Sequence, residues 1–309
     1  MTLPAQTLPS TRVAFLILAH DKPLHLARLV EALSSEQTQC FVHLDKKSDA
    51  SSFSAASKGG AIFINSRVKV YWGGWSQVEA TLRLIDTAAR DERAFTHFAL
   101  LSGSDYPISS ITHLLNFLGR SQAEHIDRVP FPHAEMNKPW SRLSKRRLEG
   151  GERAQGWQAR PIRLLNRLLE RLPDRNVTKA LGGMTPYAGS QWWVLSRPAI
   201  VHVQRFVAQG GPALKLFHQA HIPDEMFFQT VVSSLPDAVI DRGLTYTDWS
   251  GKKSGPAIIT CEHLHALQAA QFELDDGFGD GQAYFVRKFD EADESLYELA
   301  DAIRAERDG

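Results

Sequence analysis

Cysteine is scarce in this chain of 309 residues: Cys40 and Cys261 are the two. That excludes a disulfide-stapled scaffold, and unpaired thiols in a reducing compartment are the expectation. Long apolar runs are missing as well. The longest near the start is Val13–Ala19, against the roughly 20 residues that a membrane-crossing helix needs. Met1–Ser10 has neither the basic region nor the small-residue cleavage site of a secretory signal, so a cytoplasmic protein is expected. Charge of one sign is not in excess, with 35 Lys+Arg against 35 Asp+Glu; nothing global pulls the chain toward nucleic acid or an anionic surface. The dinucleotide G-x-G-x-x-G, the phosphate loop G-x-x-x-x-G-K-[ST], the G-x-S-x-G elbow, C-x-x-C and H-E-x-x-H are all absent. What is present is a 43% hydrophobic content, enough for a sizeable core and too much for a disordered chain.

Val13–Ala19 has the length and unbroken apolarity of a parallel strand buried on both faces. Pro23 opens a helical pattern with Leu26, Leu29, Val30 and Leu33 on one side. Further strands are expected at Cys40–Leu44, Ala61–Ile64, Val68–Tyr71 and Phe95–Leu101. Ser76–Ala89 is expected to be a helix burying Val78, Leu82, Ile85 and Ala89, and Ser110 to cap a helix burying Ile111, Leu114, Leu115 and Leu118. Ala188–Ser196 reads as one strand, which would point Trp192 and Trp193 to opposite faces. Ser196 and Pro198 suit the start of the next helix. Pro223-Asp224-Glu225 opens another through Phe228, Gly243–Gly255 reads as a loop, and Asp290–Arg307 as an amphipathic helix with Leu296, Leu299 and Ile303 inward. This alternation indicates an α/β sheet with helices on its faces. One compact unit over residues 13–309, behind a flexible leader at 1–12 and ending in a helix at 290–307, is the expected organisation.

The neutral total hides two biased stretches. Lys138–Arg175 holds 11 Lys/Arg and 4 Asp/Glu; Glu273–Gly309 holds 12 Asp/Glu and 4 Lys/Arg. Arg160, Arg163, Arg167 and Arg171 recur at helical spacing, as on a solvated helix face. The basic run lacks the interleaved aromatics of an RNA-binding surface, so no nucleic-acid partner is expected. His218-x-x-His221 with Asp224-Glu225, and Cys261-Glu262-His263-Leu264-His265, have metal-ligand residue types in spacings that fit no well-formed zinc pattern. Ligands of α/β sheets bind at the carboxyl ends of strands. Asp45 and Asp105 stand where strands end, and each alone reads equally well as a turn cap.

No Asp-x-Asp tripeptide occurs, the carboxylate pair with which many nucleotide-sugar enzymes hold a divalent ion. Seven motifs follow in order: AFLILAHDKP (14–23), FVHLDKKSD (41–49), VYWGGWSQVEATL (70–82), LLSGSDYPI (100–108), GSQWWVLSR (189–197), PDEMFFQT (223–230) and FVRKFD (285–290). Together they resemble the core-2/I-branching glycosyltransferases, which include β-1,6-N-acetylglucosaminyltransferases and protein O-xylosyltransferases. The resemblance implies a GT-A-type nucleotide-sugar-binding α/β fold, a mixed central sheet flanked by helices. Its nucleotide-binding half would be residues 13–120 and its acceptor-binding half 121–290. It implies an inverting transferase that needs no metal or cofactor and moves a sugar, N-acetylglucosamine favoured, from a UDP-sugar to an acceptor hydroxyl. The alternatives are UDP-xylose as donor, or a non-catalytic glycan- or nucleotide-binding module on the same fold.

Carried over residue by residue, Glu225 matches the catalytic base, and a place in the first turn of a helix would keep it ionised. Lys288 matches the lysine on the diphosphate, with Arg287 beside it. His20 and Asp45 fall at the nucleotide edge, and Asp105 would bond donor hydroxyls. Trp72 and Trp75 flank Gly73-Gly74, a loop fit to approach a ligand, and Trp75 is taken as the donor contact. The family's second cation, an arginine, has no counterpart in the stretch GPAIIT; Lys252 and Lys253 are the expected substitutes. Glu135, Trp140 and Arg142, with Lys145 and Arg146, resemble the acceptor-contacting stretch, and Trp193 is the candidate for stacking on a sugar ring. The expected partners are a UDP-sugar and a carbohydrate, glycolipid or glycosylated acceptor, with peripheral association at the inner face of a membrane.

Overall fold

In the computed structural model, which describes residues 10–152, 159–251, 255–291 and 293–307, Val13–Ala19 is the strand β1, buried along its length except for half-buried Leu18. After it come α1 (Pro23–Ala32), β2 (Thr38–Leu44), α2 (Ser54–Lys58), β3 (Ile62–Phe63), α3 (Trp75–Ala89), β4 (His97–Ser102), β5 (Asp105–Pro107), α4 (Ile111–Arg120), β6 (Ala123–Ile126) and β7 (Val129–Pro130). Then follow α5 (Ser141–Ser144), α6 (Ala159–Glu170), α7 (Val177–Leu181), β8 (Tyr187–Ala188), β9 (Trp193–Ser196), α8 (Arg197–Gln209), α9 (Pro212–His218) and α10 (Phe227–Val232). The last elements are β10 (Val239–Asp241), β11 (Thr245–Thr247), α11 (Cys261–Ala269), β12 (Glu273–Asp276), β13 (Gly279–Gln282), β14 (Phe285–Arg287) and α12 (Glu294–Glu306).

The seven-stranded sheet has the order β10-β6-β9-β4-β1-β2-β3. β1 is parallel to β2 and β4, β2 to β3, and β10 to β6, while β9 runs antiparallel to both β4 and β6. The sheet is therefore mixed, as expected. From β1 the chain steps outward through α1 to β2, then crosses back to β4 on the other side. This reversal makes the carboxyl ends of β1 and β4 a topological switch point, the place where α/β sheets bind ligands. A small sheet, β11-β14-β5, stands beside that edge.

Helices cover both faces. Val78, Leu84, Ile200, Phe217 and Phe227 pack α3, α8, α9 and α10 on one side; Leu26, Leu29, Leu114 and Leu118 pack α1 and α4 on the other. A third cluster under α11 and α12 joins Tyr106, Phe289, Leu296 and Tyr297. Cys40 and Cys261 are unpaired.

Several expectations change. Val68–Tyr71 forms no strand, because its bonds go to isolated groups: Val68 N donates to His43 Nε2 and Val70 O accepts from Lys47 Nζ. The buried side of α3 is Val78, Thr81, Leu84, Ile85 and Ala88; Leu82 and Ala89 are only partly buried. The stretch 188–196 is broken, since β8 pairs with β7 and β9 begins at Trp193. The loop at 243–255 contains β11. The C-terminal helix starts at Glu294, because Asp293 Oδ1 caps it by accepting from Leu296 N. Thr11 and Arg12, counted with the leader, are already tied to Gln37 and Thr96.

Candidate active site

Glu225 lies in a single 3-10 turn, Pro223–Glu225, before α10 and not inside a helix. The turn is entered through Ile222, whose φ of 55° is costly for a β-branched residue. Ile222 N donates to Gly73 O, and Gly189 N donates to Glu225 O at 2.8 Å. The carboxylate is therefore fixed by long-range contacts. Its charge is held by two cations instead of a helix dipole: Lys138 Nζ and Arg142 Nη1 both donate to Oε2 at 2.8 Å. Burial raises the carboxyl pKa, but Lys138 and Arg142 outweigh it and leave the pKa below the ordinary value. Because both cations grip Oε2, Oε1 accepts no hydrogen bond among the described residues, and the side chain is 25% exposed. Asp224 next to it is buried, and burial followed by the Glu225 charge pushes it up to about 7. Asp224 Oδ1, Gln229 Oε1, Gln191 Nε2 and Trp193 Nε1 are buried without a hydrogen-bond partner among the described residues, in the two segments that frame Glu225.

Asp105 and Arg287 meet because β5 and β14 pair with these two residues in register. Arg287 Nε donates to Asp105 Oδ1 at 3.0 Å, and Ser102 donates to both carboxylate oxygens through N and Oγ. Asp105 is 0% exposed and Arg287 9%. The two charges thus offset each other inside the protein. Breaking such a pair costs about 3–5 kcal/mol, because one buried charge is left uncompensated. His25, buried and pushed down to about 4, is neutral near pH 7, with its ring between Tyr297 Oη and the Asp105 carbonyl.

Lys288 is half-buried immediately after β14. The next residue, Phe289, donates its N–H to Ser104 O and accepts at its carbonyl from Lys22 Nζ. Lys22 follows β1 with a left-handed backbone, φ 56°. The ends of β1, β4 and β14 therefore converge, bringing Lys22 and Lys288 to one edge. The same edge reaches Glu225 through residues 189–192. Trp192 lies 4.3 Å under the Arg287 guanidinium, and Gly189 O accepts from the Lys138 Nζ that grips Glu225. Three residues of chain span at most about 10 Å.

His20 is exposed at the end of β1 and pairs with Asp21. Asp45 is buried and turned back on its own loop, where it accepts from Lys47 N and pairs with Lys47 Nζ. Trp75 stacks on His218 at 4.0 Å against Phe227, so Trp72, 39% exposed, is the tryptophan presented to solvent. Gly73 and Gly74 lie against His221 and Glu149, where a Cβ on Gly74 would meet Glu149. Trp193, 1% exposed, packs in the core on Phe228, which corrects its assignment to a sugar. Trp140 is exposed and stacked on Phe131; Glu135 is exposed in the turn between His133 and Lys138. Arg142 is on Glu225 itself. Lys252 and Lys253 lie outside the described residues.

The two histidine clusters come apart: His221 bonds Glu152, and His263 caps α11. Among the described residues no three His, Cys, Asp or Glu side chains are grouped to hold a metal ion. Lys138 and Lys22 were missed in the sequence. The Lys138/Arg142 spacing of four was visible, but Pro139 interrupts the helical register that would have given it meaning.

The profile of the Core-2/I-Branching enzyme family matches residues 13–272. Xylosyltransferase 2 of Homo sapiens is 27% identical over 272 residues, which cover 84% of this chain and 28% of that protein. Xylosyltransferase oxt of Drosophila pseudoobscura pseudoobscura is 23% identical over 312 residues, 93% of this chain and 33% of that protein. The chain thus spans about a third or less of the length of these relatives. Among solved structures, apo mouse xyloside xylosyltransferase 1 has a TM-score of 0.37 at 9% identity, covering 92% of this chain and 99% of that one. So loose a likeness bears no weight on the fold.

Proposed function

Because the chain belongs to the Core-2/I-Branching enzyme family, we propose that it is an inverting, metal-independent glycosyltransferase acting from a UDP-sugar on an acceptor hydroxyl, with Glu225 as base. The observation that carries this reading is the one-sided grip on Glu225, which leaves Oε1 without a hydrogen bond among the described residues. The acceptor hydroxyl gives its proton to Oε1 as its oxygen attacks the anomeric carbon. UDP leaves from the opposite face, and the configuration inverts. Lys138 and Arg142 hold the carboxylate ionised and aimed; an acceptor hydroxyl that draws either cation away raises its basicity when it is needed.

The charge that grows on the diphosphate needs fixed cations. Lys288 and Lys22 are the candidates at that edge, and Lys22 would exchange its contacts to Phe289 O and to Asp290 Oδ1, 3.7 Å away, for the diphosphate. A GT-A-type placement of the nucleotide is supported by the switch point between β1 and β4, next to His20 and the Ser102–Asp105 turn. The names of the curated relatives favour UDP-xylose over the UDP-N-acetylglucosamine expected from the sequence. A glycan, glycolipid or glycosylated chain supplies the hydroxyl.

Glu225→Gln tests the reading. Transfer should fall by about 10²–10⁴, the usual share of a general base, while UDP affinity stays near wild type and the melting temperature falls, because Lys138 is left buried without its counter-charge. Normal turnover by the Gln variant would remove Glu225 from the mechanism.

A further inference from the structure

Helix α6 is held to the molecule along one narrow side. Asn166, 4% exposed, bonds both the N–H and the carbonyl of Leu148, at 2.8 and 2.9 Å. Ile162 and Asn166 lie against Gly150 and Gly151, where a Cβ on Gly151 would meet Ile162 at 3.1 Å. Anchoring Ala159 and Asn166 inward turns the rest of the helix out, by its 3.6-residue period. Leu164, Leu165, Leu168 and Leu172, just past the helix end, are 58%, 47%, 49% and 43% exposed. Single exposed leucines are ordinary; four along one stripe are an apolar face without a cover. Arg160, Arg163, Arg167 and Arg171, all exposed, run along the neighbouring stripe. Of the neighbouring cations, Lys145 pairs with Asp174, Arg147 with Glu152 and Glu170, and Arg175 donates to backbone carbonyls.

We propose that α6 is an interfacial anchor, seating its leucine stripe in the headgroup–acyl boundary of an anionic lipid bilayer with its arginine stripe on the lipid phosphates. The charge pattern chooses this occupant. A lipid phosphate complements every arginine of the row, whereas a second copy of the chain would bring another arginine row against it. The zero net charge of the molecule is no obstacle, because attraction at a surface is local, screened within about 8 Å at physiological salt. The seat lies close to the site in the chain: Arg147, paired with the end of α6, follows shortly after α5, whose Arg142 grips Glu225. The proposal stands on α6 and does not need the transferase reading.

Co-sedimentation of the full chain with phosphatidylcholine–phosphatidylglycerol vesicles, against phosphatidylcholine alone, tests it. Binding should appear with phosphatidylglycerol and weaken with salt. Arg163→Gln with Arg167→Gln should weaken it by about thirtyfold, from about 1 kcal/mol per arginine at an anionic surface. Leu164→Gln with Leu168→Gln should weaken it by at least about tenfold. All four side chains are exposed, so the melting temperature should not move. No binding at low salt, or binding indifferent to both pairs, overturns the proposal. A concentration-dependent dimer that the leucine pair dissolves, without vesicle binding, assigns the face to a second copy and also overturns it.

Discussion

Glu225 is a half-buried carboxylate whose pKa is set by a contest between desolvation, which raises it, and two cations, which lower it. Lys138 is itself buried and donates to both Oε2 and Gly189 O. Removing it leaves Arg142 alone against the burial. In the wild type the acid limb of kcat/KM should lie below the usual range for a glutamate. In Lys138→Met that limb should move to higher pH, because burial is then less opposed. The pH profile of the variant checks this, and an acid limb that stays in place would mean that the titrating base is another group. Glu225 and Lys288 became candidates through motifs in the sequence. The gripping pair was not legible, because Lys138 and Arg142 lie far from Glu225 in the chain and between two prolines, where local periodicity carries no signal.

At the scale of elements, the segment between β8 and β9 joins the two halves of the site. It runs from Gly189, tied to Glu225, to Trp192 under Arg287. Gly189 has no room for a side chain: a Cβ there would stand 1.7 Å from Asp127 O. Gly189→Ala should therefore cost about 3 kcal/mol, at the upper end of overpacking, and displace the bond to Glu225. Denaturant melts and activity measured together check this; wild-type values in both would contradict the close packing. From sequence the segment read as one continuous strand, since apolar content alone does not reveal that β8 and β9 pair with different neighbours. The parallel strands β1, β2 and β4 were legible because their burial on both faces writes an unbroken apolar run. The turn holding Glu225 was read as helix for a related reason: its 3-10 geometry follows from contacts to Gly73 and Gly189, which local sequence does not carry.

At the scale of the whole molecule, the strand order decides where the chemistry can be. The reversal between β1 and β4, with β14 arriving alongside, brings Lys22 and Lys288 to one edge, and residues 189–192 extend that edge to Glu225. The α/β class followed from the alternation of strands and helices. The position of β9 against the run of the sheet, and the pairing of Asp105 with Arg287, depend on contacts between distant segments. The central claim is that lysines at this edge, without a metal ion, hold the diphosphate of the donor. Titration with UDP in EDTA, for wild type and Lys288→Ala, tests it most directly. The account predicts tight binding by the wild type and an affinity lower by about tenfold to a hundredfold in the variant, the worth of one charged hydrogen bond. Wild-type binding that appears only after a divalent ion is added, or equal affinity in the two proteins, would contradict it.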